Sequence, residues 1–299
     1  MEGQLHDHHL DMDTPSSDSH ERQEQPTLEQ KQLSISSILR LAFAYPWAHR
    51  YELPKLLLIP VVMASLACVI EQQVLTGSIS DTTKTLISVV TFLPDLLIVT
   101  LAAVPWHRSI LLGESRATTA WLPHFGKRER RYFGWFLLVN LVGYAAMGLV
   151  GGTIGALVGL FVAGASGTEI QRLFDHTDLF VVVLATALIP YAYLVGRLSL
   201  VLPSIATDRE ATLMDAWRLS KGNTWRLTFL IGVIPILFFL SEGWGMNGIQ
   251  WVLGSTTLES FRILGLGHLF SCVPETVLHY LVLTIELAIL SFSYRDLAD

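Results

Sequence analysis

Charge is scarce in this sequence. Of its 299 residues only 15% are Asp, Glu, Lys or Arg, while 51% are hydrophobic, and the charges sit in gaps between apolar runs. A soluble domain carries roughly 25% charged residues, so a water-covered globule is excluded. Cysteine is nearly absent too. Cys68 and Cys272 alone make no disulfide framework; they are expected as buried free thiols, which pack like small hydrophobes, with a disulfide as the alternative because both fall toward the outer face of the expected topology. The chain has no H-E-x-x-H pair, no phosphate-binding P-loop, no haem pair and no nucleophile motif, so no catalytic residue is assigned and an enzyme is not expected. No cofactor and no metal site are expected either. Basic residues gather beside apolar runs and not on a soluble face, which excludes a nucleic-acid partner. The N-terminus is acidic and His-rich with no apolar stretch behind it, unlike a signal peptide.

What is present is a set of long apolar runs. A helix needs about 20 apolar residues to cross roughly 30 Å of hydrocarbon. Runs of that length lie at about Leu53 to Leu75, Thr85 to Leu112, Tyr132 to Ala165, Leu179 to Ala206, Trp225 to Gly243 and Leu269 to Ser293. The fold class expected is an all-α membrane protein of six transmembrane helices with amphipathic surface helices on the cytoplasmic side. Residues 1–33 form a polar tail in which His6, His8 and His9 alternate with Asp7, Asp11 and Asp13. It has too few apolar residues to fold alone and is expected to be disordered. Residues 34–299 form the membrane domain.

The chain turns around between Val195 and Arg226. Thr212 with Asp215 three residues on makes a capping-box start for a short helix, and Gly222 ends it. Trp217, Arg218, Lys221, Trp225 and Arg226 are expected to anchor this corner at the headgroup layer. Arg197, Ser199, Pro203, Asp208, Ala216, Trp217, Ser220, Gly222, Trp225 and Arg226 together follow a pattern that resembles one in uncharacterised bacterial multi-pass inner-membrane proteins. It is similar to the membrane domain that accompanies some glycerophosphodiester phosphodiesterases. The resemblance implies a fold and a membrane address, and no catalytic phosphodiesterase domain fits in this chain.

A second surface helix is expected from Ser34 to Trp47, apolar at Ile35, Ile38, Leu39, Ala42 and Phe43, lying on the membrane. A third, from Thr118 to Arg131, is cruder. Each precedes two spans, so the chain parses into three repeats at about 34–112, 115–206 and 208–295. Lys and Arg collect on one side of this topology, from Arg40 and Arg50 through Lys127, Arg128, Arg130 and Arg131 to Arg295. The other side holds Lys84, Arg172 and Arg262. The asymmetry predicts an inner-membrane protein with both termini cytoplasmic.

Polar groups inside the spans are costly and need a partner or a purpose. Asp95, Arg197 and Glu286 fall in alternate spans, roughly 12 to 20 Å below the cytoplasmic surface at the helical rise of about 1.5 Å. They are expected to converge at mid-membrane as a functional site, or else to form an ion-pair network fixing helix register, or to leave Arg197 snorkelling to the nearby surface. His279 lies on the stripe of Glu286 and could relay protons. Gly148, Gly151, Gly152, Gly155 and Gly159 form overlapping G-x-x-x-G pairs, expected to pack against another helix of the same chain, with homodimerisation and a helix break that exposes backbone to a substrate as the alternatives. Two function classes follow. One is a non-enzymatic membrane component that binds lipids or other membrane proteins; the other is a small transporter or permease, proton-coupled through the intramembrane acids. The oligomeric state is not legible.

Overall fold

In the computed structural model of the chain, the structure describes residues 32–75, 80–113, 125–163, 177–242 and 267–298. The His-rich tail and the first part of the third surface segment lie outside the described residues. Met1–Lys31 also separates as a unit of its own from Gln32–Asp299.

The described residues of the larger unit are helical. The helices are α1 (Ile35–Ala48), α2 (Leu53–Leu75), α3 (Asp81–Leu112), α4 (Lys127–Ala163), α5 (Thr177–Leu198), α6 (Val201–Ala206), α7 (Leu213–Leu219), α8 (Thr224–Glu242) and α9 (Gly267–Ala298). Among the described residues six segments are long and apolar enough to cross a membrane: Leu53–Gln72, Leu93–Leu112, Lys127–Leu160, Val182–Ala206, Thr224–Glu242 and Cys272–Ala298. Each overlaps one expected run. The fourth span is broken near its end, where α5 stops at Leu198 and the chain restarts as α6, which includes Pro203.

Helix α9 packs against α1, α2 and α3, while α4 runs along α5 and α5 crosses α8. The α5–α8 crossing brings backbones together. A side chain on Gly196 would lie 2.8 Å from the Thr228 Cα, and one on Gly232 would lie 2.4 Å from the Ala192 carbonyl oxygen. At this contact α8 widens into a π-helical turn, Thr228–Val233, which ends just before Pro235. Proline has no N–H to continue the ladder, and such turns absorb the mismatch.

The tightest packing is at the end of the bundle where the basic residues cluster. Trp106, His107, Tyr132, Leu200, Ile205, Leu227 and Ile289 are fully buried there. Helix α1 belongs to this end. Its Ile38, Ala42 and Pro46 are buried and it packs on α9, so the bundle covers a face expected to lie on lipid. Tyr45 makes edge contacts with Trp106 and Phe292 and shares a hydrogen bond of 2.8 Å with Ser109.

The expected third surface helix takes a different form where it is described. Lys127, Arg128, Arg130 and Arg131 are the first turns of α4 itself. At the far end of the bundle Cys68 and Cys272 form a disulfide with their Cα atoms 5.9 Å apart. The expectation of free thiols is therefore corrected. The α2–α9 packing brings the cysteines within the Cα separation a bridge requires, a proximity that sequence spacing cannot report.

Candidate functional site

Two polar assemblies occupy the basic end. In the first, Asp208 adopts a left-handed backbone conformation, φ 64°, which Asp tolerates better than most residues. Its carboxylate accepts from Arg108 at the end of α3 (Nη1, 2.9 Å) and from Arg128 at the start of α4 (Nε, 2.6 Å; Nη2, 2.9 Å). Arg108 also donates to the Ala206 carbonyl at 3.0 Å. One acid thus ties α3, α4 and the end of α6. The hydrogen bonds from Arg128 hold the Asp208 carboxyl below its ordinary range, with help from the charges of Arg128 and Arg108.

The second assembly corrects the expected mid-membrane triad. The Arg197 guanidinium donates to Ser220 Oγ (2.8 Å), Tyr193 Oη (3.0 Å) and the Trp217 carbonyl (3.0 Å), and its carbon sits 3.3 Å from the Trp217 ring centroid. Arg197 is buried. It is held by α7 at the basic end and does not join Asp95 and Glu286. Counting depth along one helix misplaced it, because α6 and α7 fold back over the end of α5 and bring acceptors to it. The capping box forms as expected, with the Thr212 amide donating to Asp215 Oδ2 at 2.9 Å and the Asp215 amide to Thr212 Oγ1 at 3.3 Å. Gly222 has φ 78°, which closes the turn. Of the expected anchors, Trp225, Arg218 and Lys221 are exposed, and Arg226 bonds Asn223 and Gln32.

A buried relay of hydrogen bonds, absent from the sequence reading, links α9, α3 and α4. Ser291 Oγ donates to the Leu287 carbonyl (2.8 Å), which can only accept. Ser291 therefore accepts from His107 Nδ1–H (2.7 Å), and His107 Nε2 pairs with the Tyr132 hydroxyl (3.0 Å). Trp106 Nε1 donates to the Thr284 carbonyl at 2.8 Å beside it. A histidine within an apolar run, flanked by Trp106 and Arg108, was the available signal.

Deeper in the bundle lies a cavity of about 780 Å³, walled by α4, α5, α8 and α9 with Val99 of α3. Its surface is apolar apart from Glu286, Asn140 and Ser199 and the hydroxyls of Tyr132, Tyr144 and Tyr191. Tyr191 donates to Asn140 Oδ1 at 3.3 Å, and the Tyr144 and Tyr191 rings lie 5.1 Å apart. Leu184, Phe239 and Leu240 at the wall are exposed, so the cavity opens sideways out of the bundle. In a membrane that direction is lipid.

Around His279 the structure gathers the other expected residues. His279 Nδ1 and Glu242 Oε2 are 3.3 Å apart. Asp95 interacts electrostatically with His279 and Glu71, and Glu286 with His279 and Glu242. Asp95, His279 and Glu286 are therefore in one neighbourhood, joined by Glu71 and Glu242, which the sequence reading did not include. Among the described residues no group of His, Cys, Asp and Glu has metal-ligand geometry.

Packing of the glycine stripe within the chain is corrected. Among the described residues only Gly151 of the stripe meets a neighbouring helix, where an added Cβ would lie 3.2 Å from the Ala187 Cβ, while Gly148, Gly152, Gly155 and Gly159 have nothing within 4 Å. The helix-crossing glycines are Gly143, Gly196 and Gly232. Ala192 and Gly196 facing Thr228 and Gly232 repeat small residues at the four-residue spacing that permits such a crossing, which was the signal passed over.

Fold and site together define a multi-pass α-helical membrane protein. No protein-family model, curated protein or solved structure matches the chain.

Proposed function

We propose that this chain is a non-enzymatic component of the cell inner membrane that takes a lipid chain from the bilayer into the cavity between α4, α5 and α8. The observation that carries this reading is the cavity itself: about 780 Å³, apolar walls, and exposed apolar residues where it opens sideways. A hydrocarbon chain can enter there without crossing water. The non-enzymatic part rests on the polar groups. Ser291 and His107, a pair that could suggest a nucleophile and base, are fully buried and their protons are committed to fixed partners.

Orientation draws on two independent features. The Lys- and Arg-rich end is the cytoplasmic one by the charge rule, and the disulfide at the opposite end suits an oxidising compartment. The small-transporter reading draws on the acids gathered about His279, and it requires net movement of ligand across the bilayer.

The test uses the protein in phosphatidylcholine nanodiscs that contain a phospholipid with a photoreactive acyl chain. Labelling is expected on peptides containing Met147, Leu188 and Phe239. It should fall several-fold in Ala185→Phe, which fills the cavity from its wall, with thermal stability retained. Labelling spread evenly over the outer faces of the helices, or unchanged in Ala185→Phe, would overturn the reading. Ligand-driven uptake by proteoliposomes would move the protein to the transporter class.

A further inference from the structure

Apolar walls cannot by themselves select a ligand inside a bilayer, because lipid tails are as apolar as the side chains that line the cavity. Selection has to come from the polar groups. Resting on the lipid-cavity reading above, we propose that the cavity's preferred occupant is a lipophilic cation, an amphiphile whose positive headgroup docks at Glu286 beside Tyr191 while its apolar part fills the space.

Among the described residues Glu286 is the one charged residue in the wall, and no Lys or Arg lines it. A carboxylate in hydrocarbon costs a few kcal/mol unless it gains a proton or a counter-ion. The nearest candidate within the chain, His279, is engaged by Glu242 at 3.3 Å. Glu242, the other acid that acts on Glu286, adds a second negative charge beside it. Arg197, which might have supplied the positive charge, is fully committed to Ser220, Tyr193 and Trp217 at the basic end. Among the described residues the cavity wall therefore carries a carboxylate and no basic side chain.

Tyr191 lies within electrostatic reach of Glu286, and its ring is paired with that of Tyr144. Aromatic faces next to a carboxylate recognise organic cations, through the ring quadrupole and the ion pair together. An anionic headgroup would bring its own phosphate against Glu286 and be repelled. A neutral chain would enter without preference.

The experiment measures binding of tetraphenylphosphonium to the full chain in phosphatidylcholine nanodiscs, with empty discs as the blank and tetraphenylborate as the anion of like shape. Saturable binding of the cation is expected, and none of the anion. Glu286→Gln should weaken it by more than about tenfold. Glu286→Asp, which keeps the charge, should retain most of it, and Glu275→Gln, at an exposed acid on the same helix, should change nothing. Should the Glu286 variants fail to fold, the unaltered chain provides a second measurement. Saturating tetraphenylphosphonium should protect Glu286 from dicyclohexylcarbodiimide, read by mass spectrometry of the modified peptide. Equal binding of both ions, unchanged binding in Glu286→Gln, or undiminished modification of Glu286 would each overturn the proposal. If neutral acyl-chain photolabelling of the cavity persists while cation binding is absent, this proposal falls and the lipid reading stands. If the photolabelling is absent as well, both fall.

Discussion

The two halves of this bundle solve the problem of polar groups in a membrane in opposite ways. At the basic end every buried cation is answered within the chain: Arg197 has three acceptors and a stacked indole, and Asp208 gathers Arg108 and Arg128. Alongside and beyond the α5–α8 crossing stands a large cavity whose one charged wall residue among those described is Glu286, and Gly148, Gly152, Gly155 and Gly159 of α4 have nothing within 4 Å. The tied end fixes the helices, and the cavity beside the crossing has the room and the carboxylate for a ligand.

That contrast can be broken by substitution. The largest effect is expected at the boundary. Gly232→Ala puts a methyl group into the Ala192 backbone, 2.4 Å from its carbonyl oxygen, and should cost more than about 3 kcal/mol or prevent folding. Thermal unfolding in detergent would check it, and a melt like that of the unaltered protein would mean that the crossing is looser than described. Next comes Arg197→Lys. An ammonium cannot reproduce the planar fork that reaches Ser220, Tyr193 and Trp217 at once, so a loss of about 2 to 4 kcal/mol is expected although the charge is kept.

Asp208→Asn should cost less, about 1 kcal/mol or below, because the carboxylate is half exposed and solvent screens its pairs. The pH dependence gives the sign. The Asp208 pKa is depressed in the folded state, so its contribution is fully present above the unfolded value near about 3.9. It is lost as pH falls through the lower folded value. Melting curves of Asp208→Asn and the parent should therefore converge in acid and separate toward neutrality. A gap that is constant across pH would remove the charge from the explanation. The smallest effect is expected in α4. Gly155→Ala meets nothing within 4 Å and should leave stability unchanged or raise it by up to about 1 kcal/mol. A marked loss there would show that α4 packs against a second molecule.

Much of the fold was legible because its signals are local. The six apolar runs report span length directly, the Thr212–Asp215 pair reports a helix start, and Gly222 reports a stop. The site was legible in part. Asp95, His279 and Glu286 do share a neighbourhood, since acids and histidine in apolar runs are rare enough to stand out. What failed were inferences about which surfaces meet. Arg197 was assigned to mid-membrane because depth was counted along one helix, and the return of α7 over it depends on the break at α6. The G-x-x-x-G series was prominent in the letters yet turned outward, while single glycines at 196 and 232 made the contact. Spacing gives a helix face, and only the partner's position says whether that face is used.

The bridge between Cys68 and Cys272 joins α2 to α9 across a sequence separation of 204 residues. It cannot exist on a nascent chain in which α9 has yet to reach α2, nor on any product truncated before Cys272. In biogenesis the oxidised cysteines thus record that these two distant helices have met. A non-reducing gel of membranes would separate molecules that have passed this step from those that have not, because the bridge closes the intervening chain into a loop.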